Sequence, residues 1–282
     1  MNPRVGIFLV PWAFSLLVLI ILPLTATFGL TLFDWDFLTP PQWAGSQNFR
    51  NLILDPMVGK ALRVTCLFAL LSAFSEVLGG LWLGLLMHQK VPAIGAFRTL
   101  CYLPTVLSGV ASTLIGMWLF QPNAGLVNQV LARMGIQGPR WLLEPGWALL
   151  ALWIMTFWGL GRSALLVLAA RQAIPQQYFE AALMDGANAW QTFRAITLPY
   201  LMPTLAFNLL VGVANAMHSF ANAYVATAGG PLESTTLYVL YLYQVAFQQL
   251  RLGYAATLVL VLFGVSLALS WMMEKLNPEE TA

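Results

Sequence analysis

The chain has 282 residues, of which 59% are hydrophobic and only 9% charged, with a formal net charge of +2. A water-soluble domain carries about 25% charged residues, so this composition excludes a chain that folds wholly in water and names the lipid bilayer as its solvent. The small charge is spread along the chain with no basic patch, which argues against nucleic acid as a partner.

A bilayer span needs about 20 predominantly apolar residues in a helix, because no water is present to satisfy backbone N–H and C=O groups. The chain opens with Met1-Asn2-Pro3-Arg4 and an uncharged run over residues 5–32. That run exceeds the apolar core of about 7–15 residues in a cleavable signal, so a retained first helix over 7–32 is predicted. Residues 34–60, rich in Asp, Trp and Pro, follow, and then a second predicted span over 61–88. A short link leads to a third span over 97–120, and a loop with Gly and Pro (121–145) to a fourth over 146–170. A long polar link (171–198), a fifth span over 199–223, a Gly-Pro loop (226–251) and a sixth span over 252–275 complete the chain. An even number of spans puts both termini on one side of the membrane. Phe33, Trp35, Phe37, Trp43, Trp141 and Trp147 flank the spans, where a ring suits either headgroup depth or ordinary loop packing.

Lysine and arginine counts do not orient the chain. Arg4, Lys90, Arg98, Arg171, Arg194 and Lys275 fall on the face of the termini, and Arg50, Lys60, Arg63, Arg133, Arg140 and Arg251 on the other. Cys66 and Cys101 lie in or beside apolar segments without metal or disulfide spacing and read as small apolar residues. No fixed-period repeat and no second soluble domain is visible, so a single membrane domain over 1–282 is expected.

The polar link carries the most informative pattern. Pro175 suits a helix start, residues 180–185 are good helix formers, and Gly186 can turn the chain, which predicts a short helix lying across the membrane face. Tyr178, Phe179, Ala182 and Met184 give that helix apolar contact surface, while Ala181 and Ala182 admit close approach by another protein. Glu180-Ala181-Ala182, Gly186 after three residues, and Ile196-Thr197-Leu198-Pro199 after nine more form a fixed-spacing pattern. Seven matches arise by chance in a chain of this size with a probability on the order of one in a hundred thousand or less.

This pattern resembles the EAA loop of ATP-binding-cassette (ABC) importer permeases. The form with Asp185, Ala187, Phe193 and Ile196 is similar to that of permeases for maltose, glycerol 3-phosphate and related carbohydrates. Leu103-Pro104, Gly125-Leu126-Val127-Asn128, Gly229-Gly230-Pro231 with Thr235-Thr236, Tyr241, Ala246-Phe247 and Gly253-Tyr254-Ala255 extend the resemblance over nearly the whole chain. Departures are Ser46, before the Asn48-Phe49 pair, and Arg171, where an apolar residue is common.

The resemblance implies an all-α membrane protein with six transmembrane helices, both termini cytoplasmic, and a short cytoplasmic coupling helix between helices four and five. It implies a bacterial inner-membrane assembly with a second permease subunit, two ABC ATPase subunits and an extracytoplasmic solute-binding protein. Tyr178, Glu180, Ala181, Ala182, Asp185 and Gly186 would dock on an ATPase. ATP and Mg would sit in those partners, with no cofactor, metal or catalytic residue in this chain. The sequence has no Gly-x-x-x-x-Gly-Lys-Ser/Thr loop, and no HExxH, GxSxG or CxxC.

Asn208, Gly212, Asn215, Ser219 and Asn222 recur at steps of three or four in the fifth predicted span. On spacing alone they read either as hydrogen-bonding glue between helices or as the lining of a polar path. The resemblance favours the path; Trp158 and Gly159 in the fourth span, an aromatic face for a sugar ring and room beside it, are candidate companions, and Ser108 in the third a weaker one. Glu76, Arg162 and His218 are ionisable within predicted spans, where charges are costly unless paired or wet; a Glu76–Arg162 pair is one expectation and solute or gate contact the other. The alternative to an ABC permease is a stand-alone secondary carrier or channel, for which inverted repeats and a convincing intramembrane acid would be expected.

Overall fold

The structure is a computed structural model that describes residues 3–276; Met1, Asn2 and residues 277–282, and with them the chain ends, lie outside the described residues. Among the described residues, helices Leu9–Leu30, Pro56–Met87, Pro145–Ala173, Ala189–Met217 and Leu252–Met272 are long and apolar enough to cross a bilayer. A sixth crossing is a helix pair, Ile94–Val106 and Gly109–Leu119, bent by 103°. Counted as one span, the pair brings the total to the six that the hydropathy predicts.

Three spans depart from the expected straight rods, each for a local reason. The third is bent because Leu107 and Ser108 are extended, and the Ser108 hydroxyl then accepts the Ala111 N–H at 3.3 Å to start the second limb. The fourth carries a tight 3₁₀ turn at Thr156–Gly159 between α-helical halves. The fifth ends at Met217 rather than 223: His218 caps it, and residues Ala221–Ala226 form a separate short helix. π turns at Leu17–Ile21 and Phe193–Thr197 precede Pro23 and Pro199. A proline clashes with the carbonyl four residues before it, and a widened turn relieves that clash.

Contacts divide the chain into two compact units, Met1–Lys60 with Tyr241–Leu267, and Ala61–Leu240 with Ala268–Ala282. In the first, a two-stranded antiparallel ribbon pairs Phe33 with Trp43 and Asp34 with Gln42. The buried Asn48 amide donates to the Thr31 and Phe33 carbonyls, both at 2.9 Å, and so ties the end of the first span to the segment after it. Phe33 packs edge-on against Trp43, so part of the expected interfacial aromatic set is loop packing.

In the second unit the second, fourth and fifth spans pack around small residues. A Cβ on Gly80 would overlap the Ser163 hydroxyl, and one on Gly84 would meet the Ala164 carbonyl and Val167. Gly80-Leu81-Trp82-Leu83-Gly84 is thus a small-xxx-small seam that lets two helix backbones approach. Asn208 sits on the same junction, buried and donating to Ser163 Oγ at 3.0 Å. Val167, Leu201 and Leu205 form a buried cluster below it, and Met87, Ala164 and Leu168 another. Since lipid is as apolar as leucine, close packing and such hydrogen bonds, about 0.6–2 kcal/mol each, hold these helices together.

Candidate functional site

The polar link folds into two capped helical pieces. Gln176–Met184 is the predicted loop helix, with Pro175 at its N-cap rather than inside the first turn. It closes by the paired bonds of a Schellman cap: Ala187 N–H to Ala182 O at 2.9 Å and Gly186 N–H to Leu183 O at 3.1 Å. Gly186 stands at φ +73°, a left-handed conformation that side chains with a Cβ rarely adopt. Asn188 then opens the next helix with a capping box, its side chain accepting from Gln191 N–H at 2.9 Å while Gln191 accepts from Asn188 N–H at 2.8 Å. That helix leads through the π turn into the fifth span. The two caps follow one another directly, the first closing the loop helix and the second opening the next, and make the link a formed structure.

The base of the loop helix is anchored on the span it leaves. The Arg171 guanidinium lies 3.9 Å from the Phe179 ring centroid, so the residue that departs from the EAA pattern finds its partner inside the loop. Tyr178 and Tyr200 rings stand 5.5 Å apart. Glu180, Ala181, Asp185 and Gly186 are exposed and Ala182 is half-buried. Large apolar groups stay open around them: Leu183 is 75% exposed, Met184 87% and Trp190 66%. A cavity of about 550 Å³ separates the loop helix from the end of the second span, lined by Leu85, His88, Arg171, Glu180 and Phe193. Burial, then the positive charges of Arg171, Arg98 and Lys90, hold His88 below the ordinary imidazole value, so it is neutral at pH 7.

The second constellation lies among the spans. A cavity of about 400 Å³ is lined by Glu76 from the second, Ser112 from the third, Trp158 and Arg162 from the fourth, and Asn215 and Asn222. Gly159 completes the wall beside Trp158, with open space around its Cα. The 3₁₀ turn at Thr156–Gly159 presents Trp158, and the bend at Ser108 turns Gly109 and Ser112 towards the same space.

The predicted polar stripe is therefore divided. Asn215 and Asn222 reach the cavity, while Asn208 is occupied with Ser163 and Gly212 lies against Ala73 and Glu76. Ser219 lies beyond the end of the helix, and Asn222 belongs to the following short helix, where it accepts from Thr113 Oγ1 at 2.6 Å. Ser108 is spent as a helix cap. The single helical stripe does not exist, because the fifth span stops before its last two members. Glu76 and Arg162 share the cavity.

Sequence reading missed a third cluster, in the first compact unit. Asp55 Oδ2 accepts from Tyr241 Oη and, at 2.6 Å, from Tyr254 Oη, and Asp55 Oδ1 accepts from the Met57 N–H at 2.9 Å. The Arg251 guanidinium stands 4.7 Å from the Tyr254 ring centroid. Burial pushes the Asp55 carboxyl up, but the two phenol bonds, the Met57 amide and Arg251 together hold it below its ordinary value. Asp55 carries no motif of its own in the sequence; the only signal was that Tyr241 and Tyr254 lie in segments matching the resemblance.

Residues 76–281 match the family described as binding-protein-dependent transport system inner membrane component. The chain is 34% identical over 261 residues to the probable ABC transporter permease protein YesP of Bacillus subtilis, covering 90% of this chain and 84% of YesP. It is 31% identical over 265 residues to the sulfoquinovosyl glycerol transport system permease protein SmoG of Agrobacterium fabrum (93% and 86% covered). It is 32% identical over 230 residues to the trehalose/maltose transport system permease protein MalF of Thermococcus litoralis (81% and 78%). Its fold matches a chain of a bacterial ABC transporter that imports the acidic polysaccharide alginate, with a TM-score of 0.84 at 23% identity over 99% of this chain and 96% of the other. The family match spans most of the chain, including the exposed loop bearing Glu180-Ala181-Ala182, and the chain belongs to the binding-protein-dependent transport system inner membrane component family as a membrane-integral ABC transporter permease.

Proposed function

We propose that the chain is the permease subunit of an ATP-driven importer for a sugar or related polyhydroxylated solute, seated in a bacterial inner membrane with both termini cytoplasmic. It works with a second permease subunit, two ATPase subunits that hold ATP and Mg and hydrolyse the nucleotide, and an extracytoplasmic solute-binding protein. The observation that carries this reading is the loop helix Gln176–Met184: capped at its C-terminal end, anchored through Arg171 and Phe179, and carrying exposed apolar groups around Glu180. Such a helix can transmit force as a rigid body once Tyr178, Glu180, Ala181, Ala182, Asp185 and Gly186 are seated on an ATPase.

Closure of the ATPase pair would then move the fourth and fifth spans, which bracket the loop and wall the polar cavity. Trp158, Gly159, Asn215 and Asn222 would meet solute there, with Asn208, Gly212, Ser108 and Ser219 shaping the frame around them. The sugar class is supported by the named relatives SmoG and MalF. A solute-binding protein partner is supported by the alginate transporter solved with its periplasmic protein bound to an alginate pentasaccharide. Reconstitution tests the reading: uptake into liposomes should need the ATPases, ATP and the loaded binding protein together. Uptake by the purified chain alone would replace it with a secondary carrier.

A further inference from the structure

The cavity among the spans holds two opposite charges that do not close on each other. Glu76 and Arg162 both line it, and among the described residues neither has a hydrogen-bond or ion-pair partner within 4.0 Å. The Glu76 carboxylate lies on the fifth-span side, where a Cβ on Gly212 would come within 3.1 Å of its Oε2. Arg162 stands on the fourth span, one turn beyond Trp158 and Gly159, and is exposed.

Charges inside a membrane span are expensive, and a structural ion pair offsets its desolvation only when the two groups meet in good hydrogen-bonding geometry. An open pair on a polar cavity is satisfied by the water that fills it or by a solute that takes the place of that water and reaches both members. A carboxylate accepts and a guanidinium donates, and a hydroxyl does both, so adjacent hydroxyls of one solute can bridge the two groups. The two charges also cancel. A lining without net charge has no means of concentrating an anion, which Glu76 would repel, or a cation, which Arg162 would repel. Asn215, Asn222 and Ser112 add uncharged donors and acceptors, and Trp158 an apolar face, which suits a polyhydroxylated ring or chain.

We infer that Glu76 and Arg162 are direct contacts of the transported solute, held apart to receive its hydroxyls between them, and that this solute is an uncharged sugar or polyol. The inference rests on the reading of the chain as a solute permease and deepens it.

The test uses the complete transporter in proteoliposomes with its ATPases and binding protein. The binding protein first selects a probe by thermal shift from maltose, sucrose, sorbitol and glucuronate. ATP-dependent uptake of that probe is then compared for the unaltered chain, Glu76→Gln, Arg162→Gln and the exchange Glu76→Arg with Arg162→Glu, each checked for co-purification with the ATPases. A neutral probe should be selected, and each single variant should lose uptake about ten-fold or more. The exchange should stay equally low, because the hydroxyl pattern of the solute is fixed relative to the walls. Should the glutamine variants fail to assemble, Glu76→Asp and Arg162→Lys, which keep the charge but alter reach and fork, should each lose about three-fold or more. Near-normal uptake by the single variants overturns the inference. So does recovery in the exchange, which marks a pair serving only the fold or a neighbouring subunit, and so does selection of glucuronate. A binding protein that takes none of these probes, or uptake without ATPases, overturns instead the functional reading beneath it.

Discussion

The loop from residue 171 to 198 and the cavity around Arg162 are both polar places in an apolar chain, yet they are written in the sequence differently. The loop is local: cap, helix, glycine turn and second cap follow one another within a few helical turns, and each is set by its own residue. The cavity is assembled from the second, third, fourth and fifth spans and the short helix after them. A surface that docks on a partner can be specified by one stretch of chain. A chamber that encloses a solute needs walls from several, and its membership depends on where each helix bends and ends.

The largest effect should come from breaking the local element. Gly186→Val forces a β-branched residue into φ +73°, at a cost of about 1–2 kcal/mol or more, and opens the Schellman cap. Uptake should fall about a hundred-fold while the chain still inserts and co-purifies with the other permease, and ATP hydrolysis stimulated by the loaded binding protein should cease to track uptake. Normal coupling in this variant would mean that the loop tolerates flexibility, and the rigid-lever account would fail.

The same asparagine-to-leucine change at two positions should sharpen the contrast within the cavity. Asn208→Leu leaves Ser163 without its partner and should lower the melting temperature in detergent, through a loss of about 1–2 kcal/mol, with uptake per assembled complex preserved. Asn215→Leu touches the cavity and should do the reverse, leaving melting unchanged and reducing uptake about five- to ten-fold. If both variants behave alike, the division of the stripe into packing and lining residues is wrong.

That division shows what the sequence could and could not convey. Composition alone gave the number of spans, because twenty apolar residues in lipid have few options besides a helix. The loop helix was readable because Pro175 and Gly186 act on their immediate neighbours, whereas the capping box at Asn188 went unread. The stripe was misread because the apolar run continues through Phe220 and Ala226, so periodicity gave no sign of the stop at His218. The bend at Ser108 and the 3₁₀ turn at Thr156–Gly159 were equally silent, since each lies inside a run that hydropathy reads as one continuous span. The seam Gly80–Gly84 was visible as a spacing and went unused; only Ser163 and Val167 opposite it show why glycine is needed there.

Asp55 extends the comparison to a long-range cluster, its partners Tyr241 and Tyr254 lying 186 and 199 residues further along the chain. Its folded carboxyl is held below the ordinary value, so its stabilising effect is complete above the unfolded pKa of about 3.9 and is lost as pH falls through the lower folded value. Protection against hydrogen exchange near Asp55 and Tyr241, taken relative to the intrinsic exchange rate at each pH, should therefore be flat from about pH 5 to 8 and fall only in more acid solution. Asp55→Asn should raise exchange at neutral pH and flatten the acid limb. A limb unchanged by Asp55→Asn would assign the acid sensitivity to another group.

The smallest effect should be at Arg171, where this chain departs from the pattern it otherwise follows. The cation stacked on Phe179 is worth about 0.5–1 kcal/mol at a partly exposed site, so Arg171→Ala should increase local opening of the loop about two- to five-fold. Limited proteolysis between Gln176 and Thr192 reads that change directly. Arg171→Leu supplies the apolar residue common at this position and can pack on the same ring without charge. Its cleavage should return to the unaltered rate if the residue's task is to hold the base of the loop helix. If Arg171→Leu is cut as fast as Arg171→Ala, the positive charge itself matters, and the partner to examine is Glu180, which lines the same cavity.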